Sequence, residues 1–345
     1  MTSDTSSDTS IDTLPAPPGL AYDVFNGDAD GICALHQLRL VTPKDAVLVT
    51  GVKRDVDLLR KVPCRQGIDV TVLDMSLDAN ADALRNLLDA GARVTYFDHH
   101  TAERAFKHPR LQFFWDESPE ACTSILVDRH LRGRFREWTV AAAFGDNLTA
   151  VANKLARGMG LGESSTRALE ELGLMLNYNA YGESVEDLHI PPGTLYQSLH
   201  RFIDPFEFIE TAPEYRMLCG GYLGDAARME CLTPAWKFDG GAVYLLPAEP
   251  WARRISGVFA NKLAASGDTR SYAVLTETAK GSYVVSVRSG QPALHSAGTL
   301  CARFPNGGGR KAAGGINNLP ASELDNFVRA FSEYFREAPE AHPVC

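Results

Sequence analysis

Three short stretches near the start of the chain carry side chains that could do chemistry together. Phe25-Asn26-Gly27-Asp28-Ala29-Asp30-Gly31 places two carboxylates two positions apart. Asp74 follows the apolar run Val70–Leu73, and Asp98-His99-His100 follows the run Val94–Phe97. Buried acids with no Lys or Arg beside them repel one another, and a divalent cation removes that cost. Carboxylate oxygen with imidazole nitrogen suits Mn²⁺ better than it suits a thiolate-seeking ion. Within such a set His99 reads as a ligand, because neutral imidazole is the commonest metal-binding side chain. Alone it would read as a core histidine. Asp28 or Asp30 could equally cap the helix that follows them.

The surrounding pattern says how these residues would be positioned. Ala21–Phe25, Ala46–Thr50, Val70–Leu73 and Val94–Phe97 are short, β-rich apolar runs, and Leu111–Trp115 adds a fifth. Asp30–Leu40, Val56–Lys61 and Asp78–Ala90 read as helices between them. Near-continuous apolar strands divided by amphipathic helices predict a parallel sheet covered on both faces. Ligands bind outside the carboxyl ends of such strands. Three of the first four strand ends, all but the second, carry Asp or His.

Further along, Ala121–Leu131, Trp138–Phe144, Leu148–Arg157 and Ser165–Leu176 read as helices. Pro191, Pro192, Pro205, Pro213 and Pro234 mark a partly helical connector over 183–240. From Gly241 a second α/β pattern begins, with strands Ala242–Leu246, Tyr272–Thr276 and Tyr283–Val287 around a helix at Trp251–Ala265. Two more helices are expected, near Leu294–Arg303 and over Ala321–Glu337. His36 reads as a core or surface residue rather than a ligand, and the four tryptophans read as packing residues. Tyr178 and Tyr181 read as packing too, with base stacking the alternative.

The 345 residues carry 34 Lys and Arg against 43 Asp and Glu, a net charge of −9. That length exceeds the roughly 250–300 residues at which one core stops growing, so two domains are expected. The acidic balance argues against a broad basic face for duplex nucleic acid. It leaves room for a small anion held at a few points. Residues 1–18, rich in Ser, Thr, Asp and Pro, read as a disordered tail. Met1–Leu20 has no Lys or Arg and no apolar core, so no secretory signal is read there. No apolar run approaches the ~18 residues that span a bilayer. Seven cysteines without a CxxC pair point to a reduced, cytoplasmic setting.

Asp98-His99-His100, taken with Asn26-Gly27-Asp28-Ala29-Asp30-Gly31, resembles the DHH family of phosphoesterases, which includes RecJ-type exonucleases and the nanoRNase and pAp-phosphatase group. Asp74 takes the place of that family's second motif. Asp146, in Ala143-Phe144-Gly145-Asp146-Asn147, takes the place of its fourth, and Glu120-Ala121-Cys122-Thr123-Ser124 resembles the helix start that precedes it. Gly307-Gly308-Gly309-Arg310-Lys311-Ala312-Ala313-Gly314-Gly315 resembles the glycine signature of the DHHA1 domain. Ser286-Val287-Arg288-Ser289 resembles its arginine motif, and Ser256–Leu263 its first helix. The resemblance covers residues 20–180 and 240–335.

It implies an N-terminal, mostly parallel-sheet DHH catalytic domain over 19–182 and a smaller α/β DHHA1 substrate-binding domain over 241–345, with an active-site cleft between them. It also implies two Mn²⁺ ions, with Mg²⁺ or Co²⁺ as substitutes, set roughly 3.5–4 Å apart to clamp the attacking and leaving oxygens. Asp74 would bridge them. Asp28, assisted by Asn26, would complete one site, and Asp30, His99 and Asp146 the other. Asp98 would orient His99 or its neighbours, and His100 would meet the scissile phosphate or the leaving oxygen. Gly307, Gly308, Gly309, Arg288 and Arg310 would hold a terminal phosphate.

The chain departs from the family at Asn26, where His or Asp is usual, and at Arg310, where His is usual. The first change weakens a ligand, and the second offers a bidentate phosphate donor. The implied activity is hydrolysis of short single-stranded oligonucleotides or small nucleotides, with no membrane partner and with a homodimer allowed. A manganese pyrophosphatase or polyphosphatase, and a degenerate nucleotide-binding protein that does not cleave, are the alternatives.

Overall fold

The computed structural model describes residues 21–336 apart from Ser266 and Asp268. The tail expected over 1–18, and the last residues of the chain from 337, lie outside the described residues. The chain divides into two compact units. The first holds residues 21–180 with Ile190–Arg216, and the second holds Tyr181–His189 with residues 217–336. The connector read over 183–240 is thus shared between them.

In the first unit, β1 (Ala21–Phe25), α1 (Ala29–Val41), β2 (Val47–Val49), β3 (Asp69–Leu73), α2 (Leu77–Asp89), β4 (Arg93–Asp98) and β5 (Leu111–Trp115) form the expected alternation. The sheet order is β2-β1-β3-β4-β5, and every pairing is parallel. Strand order reverses between β1 and β3, which is where a doubly wound sheet opens its ligand crevice. Val24, Val70, Val72, Val94 and Tyr96 build the core with Leu84, Leu87 and Leu88 of α2. The predicted helix over Val56–Lys61 is only a tight turn at Leu58–Lys61.

Helices α3 (Thr123–His130), α4 (Arg136–Gly145), α5 (Thr149–Gly158) and α6 (Glu163–Tyr178) follow as read, with ends shifted by one to two residues. The connector is more helical than its prolines suggested. It holds α7 (Pro192–Leu199), α8 (Pro205–Thr211) and α9 (Pro213–Met229). Pro192, Pro205 and Pro213 each open a helix, where the missing N–H costs nothing.

The second unit contains β6 (Trp236–Phe238), β7 (Gly241–Leu246), α10 (Pro250–Ala264), β8 (Ser271–Glu277), β9 (Ser282–Arg288), α11 (Ala297–Cys301), β10 (Gly307–Gly309), β11 (Ala313–Pro320) and α12 (Leu324–Tyr334). The sheet order is β10-β11-β9-β8-β7-β6, with only β7 and β8 parallel. Three of these strands, β6, β10 and β11, were absent from the sequence reading, and the helix expected at Leu294–Arg303 shrinks to α11. Glycine and asparagine have low strand propensity. Pairing with β9 nevertheless holds β11 in the sheet. The core here joins Val243, Leu275, Val285 and Ile316 to Phe327 and Phe331 of α12.

Candidate metal centre

The loop between β1 and α1 explains its own sequence. Asp28 is the N-cap of α1, and its Oδ1 accepts the backbone N–H groups of Asp30 and Gly31, each at 3.1 Å. Gly31 has no room for a side chain, because a Cβ would lie 2.2 Å from the Asn26 carbonyl oxygen. Capping and site chemistry therefore share one residue: Asp28 is buried to 2% exposure, and its other oxygen faces elsewhere.

Asp30 is deeply buried, and both its oxygens accept backbone amides at the start of α3, from Thr123 and Ser124, each at 2.7 Å. This is the helix start at Glu120–Ser124, capped by a carboxylate from 93 residues earlier. Asp74 follows β3 directly with φ of 57°, a left-handed conformation that a side chain adopts at some cost. Its amide donates to the Phe97 carbonyl at 3.1 Å, which holds the turn against β4.

His99 gathers these acids. Its Nε2 lies 3.4 Å from Asp74 Oδ1, 3.9 Å from Asp30 Oδ2 and 3.9 Å from Asp146 Oδ2. Asp146 sits just past the end of α4. Asp98 is fully buried and serves His100: its Oδ1 accepts the backbone amides of His99 and His100 and lies 2.7 Å from His100 Nδ1. Trp115, exposed at the end of β5, donates its indole N–H to the His100 carbonyl at 2.7 Å. The sequence reading gave Trp115 no such part.

The electrostatics are those of acids crowded together. Burial, then the charge of Asp74, pushes Asp30 up to about 7. Burial pushes Asp146 up to about 6, against the pull of Lys53. Burial and the Asp28 carboxylate raise Asp74. For His99 burial opposes the charged form, but Asp74, Asp30 and Asp146 outweigh it and push its pKa up to about 10. Opposed shifts crowded into one pocket make these residues the candidate functional site.

Two groups could hold an ion, Asp74 with His99 and His100, and Asp30 with His99 and Asp146. In each group the ligand atoms all lie within 4.8 Å of one another. The donor chemistry, carboxylate with imidazole, fits a divalent cation of the Mn²⁺ kind. Asn26 has a buried side-chain oxygen with no hydrogen-bond partner. Asp28 falls in neither group.

Lys53 is the residue that the sequence reading missed. It lies after β2, the one strand end that showed no Asp or His, and its Nζ reaches Asp28 Oδ2 at 2.5 Å. The rule that pointed to the other three strand ends would have pointed to this loop as well.

In the second unit, Arg288 donates from Nε and Nη2 to Asn261 Oδ1 at 3.0 and 2.9 Å. Ala313 pairs in register with Arg288 and accepts the Arg310 backbone N–H at 2.8 Å, so the two arginines share a neighbour. Gly307–Gly309, expected to help hold a terminal phosphate, forms a strand, and Gly309 has φ of 136°. A Cβ on Gly307 would meet the Cys301 carbonyl at 2.1 Å, while one on Gly308 would meet nothing within 4 Å. Tyr178 is fully buried and packs.

The architecture is a RecJ-like DHH fold. RecJ from Thermus thermophilus, whose crystal structure was solved in complex with Mn²⁺, is similar at a TM-score of 0.60 and 17% identity, over 92% of this chain and 52% of that one. The chain thus spans about half the length of RecJ. PggH from Vibrio cholerae, a pGpG-specific phosphodiesterase, is similar at a TM-score of 0.53 and 14% identity, over 90% of this chain and 98% of that one. No protein-family model and no curated protein matches the chain. No helix among the described residues is long and apolar enough to cross a membrane.

Proposed function

We propose that the chain is a divalent-cation-dependent phosphodiesterase acting on short single-stranded oligonucleotides or small nucleotides, with Mn²⁺ the ion its donors suit. One observation carries this reading: His99 Nε2 stands within 3.9 Å of three carboxylates, those of Asp30, Asp74 and Asp146, at the carboxyl edge of a doubly wound sheet. Asp30, Asp74, His99 and Asp146 would hold the cation. When bound, it would supply Lewis-acid charge to a phosphoryl oxygen and make water a better nucleophile.

The chain's own groups do the rest. Asp98 fixes the His100 ring through Nδ1, which leaves Nε2 to meet a phosphoryl oxygen or to pass a proton to the leaving oxygen. His100 is exposed, as such a role needs. Asp30 is held by two amides of α3, so the ligand geometry does not rest on a mobile side chain. In the second unit Arg288, Arg310 and the glycines 307–309 would recognise a terminal phosphate. We assign the first unit catalysis, the second substrate recognition, and the protein to a reduced, cytoplasmic setting. PggH, which acts on pGpG, supports a dinucleotide-sized substrate.

The test is a screen of 5′-labelled dinucleotides, longer oligomers, pAp and cyclic dinucleotides with Mn²⁺. Release of mononucleotide from the short substrates, abolished by Asp74→Asn, is expected. Faster phosphate release from pyrophosphate than from any nucleotide would overturn the proposal.

A further inference from the structure

The carboxyl edge of the first sheet contains a cation that the chain supplies itself. The Lys53 backbone N–H donates to the Ala180 carbonyl at 2.8 Å, which fixes where its side chain starts. From there Nζ reaches Asp28 Oδ2 at 2.5 Å and Asn177 Oδ1 at 3.0 Å, and it lies 4.0 Å from Asp146 Oδ1. Asn177 is itself buried, so its amide oxygen forms a built acceptor for the ammonium. The remaining oxygen of Asp28 is occupied by two backbone amides. Asp30 likewise has both oxygens on backbone amides, so what sets Asp28 apart is that one of its partners is a cation.

We propose that Lys53 takes the place of a second metal ion: the chain binds one divalent cation, in the two candidate groups that share His99, and balances Asp28 with the Lys53 ammonium. This rests on the metal reading above and specifies it. A divalent ion on Asp28 Oδ2 would sit against the ammonium in a low-dielectric pocket, where like charges repel strongly. Displacing the lysine would leave the Asn177 oxygen without its donor. About a quarter of the Lys53 side chain stays exposed, so its charge can face a phosphoryl oxygen as a second ion would.

The test counts Mn²⁺ per folded chain by equilibrium dialysis with elemental analysis, and reads spin coupling by electron paramagnetic resonance. One Mn²⁺ with an uncoupled six-line spectrum is expected for the wild type and for Lys53→Arg. Lys53→Met removes the charge, leaves Asp28 uncompensated, and is expected to bind two ions that couple. Two coupled ions in the wild type would overturn the proposal whether or not the variants fold. A single ion in folded Lys53→Met would overturn it as well. No bound Mn²⁺ in the wild type would instead remove the metal reading on which it rests.

Discussion

Two buried aspartates lie at either end of one short segment and meet opposite fates. Asp23, within β1, is clasped by Nε and Nη2 of the Arg39 guanidinium, with Thr71 accepting a further bond at 2.8 Å. Charge and hydrogen bonds close there with nothing left over. Asp28, five residues on, has its own cation in Lys53, but it stands beside Asp30, Asp74 and Asp146, which outnumber the cations near them. Burial of a charge is therefore no mark of function in this fold. What sets the proposed site apart is its surplus of acids over cations.

This contrast can be broken at either end. The largest expected effect is at the surplus. Asp74→Asn, which keeps a residue tolerant of φ 57°, should lower turnover by about a hundredfold or more, since even groups one layer behind a metal ligand cost 10–100-fold. The same change should leave the metal-free protein as stable as before or slightly more so, because one repelling charge is gone. Thermal melting without metal checks the second half. Arg39→Ala should do the reverse. It leaves Asp23 buried and unpaired at a cost of about 3–5 kcal/mol, while Mn²⁺ affinity per folded molecule holds. Denaturant melts alongside metal titration read both.

A third test lies between these extremes. His36 is buried against Trp138, and its Nδ1 lies 3.0 Å from His200 Nδ1. Burial, then His200, pushes its pKa down to about 3. Below pH 6.5 the unfolded chain takes up a proton that the folded one refuses. Stability should therefore fall as pH drops from about 6.5 towards 3, by up to about 1.4 kcal/mol per pH unit from this group. His36→Gln should flatten that part of the pH–stability curve. The smallest effect is expected at Gly308, where an added methyl meets nothing within 4 Å. Gly308→Ala should change stability by no more than about 1 kcal/mol and raise KM if the glycine amides hold an anion.

Much of this site was legible in the sequence because position did the work. Asp28, Asp30, Asp74 and the Asp98–His100 run stand at strand ends, and parallel strands aim their ends at one crevice. Asp146 follows a helix, where no periodicity marks it, and only the family resemblance pointed there. Lys53 escaped because it follows the one strand end without Asp or His, the residue types that singled out the other three. What gives it meaning is Asn177, which lies 124 residues away. β10 and β11 escaped because glycine and asparagine carry little strand propensity, and only the neighbouring strand makes them sheet.

The most direct measurement is mononucleotide release from a 5′-labelled dinucleotide by chelator-stripped protein as Mn²⁺ is added back. Turnover that is absent without the ion, rises to saturation with it and stays absent in Asp74→Asn is the predicted result. Equal turnover in the presence of chelator, or undiminished turnover by Asp74→Asn at saturating Mn²⁺, would contradict it.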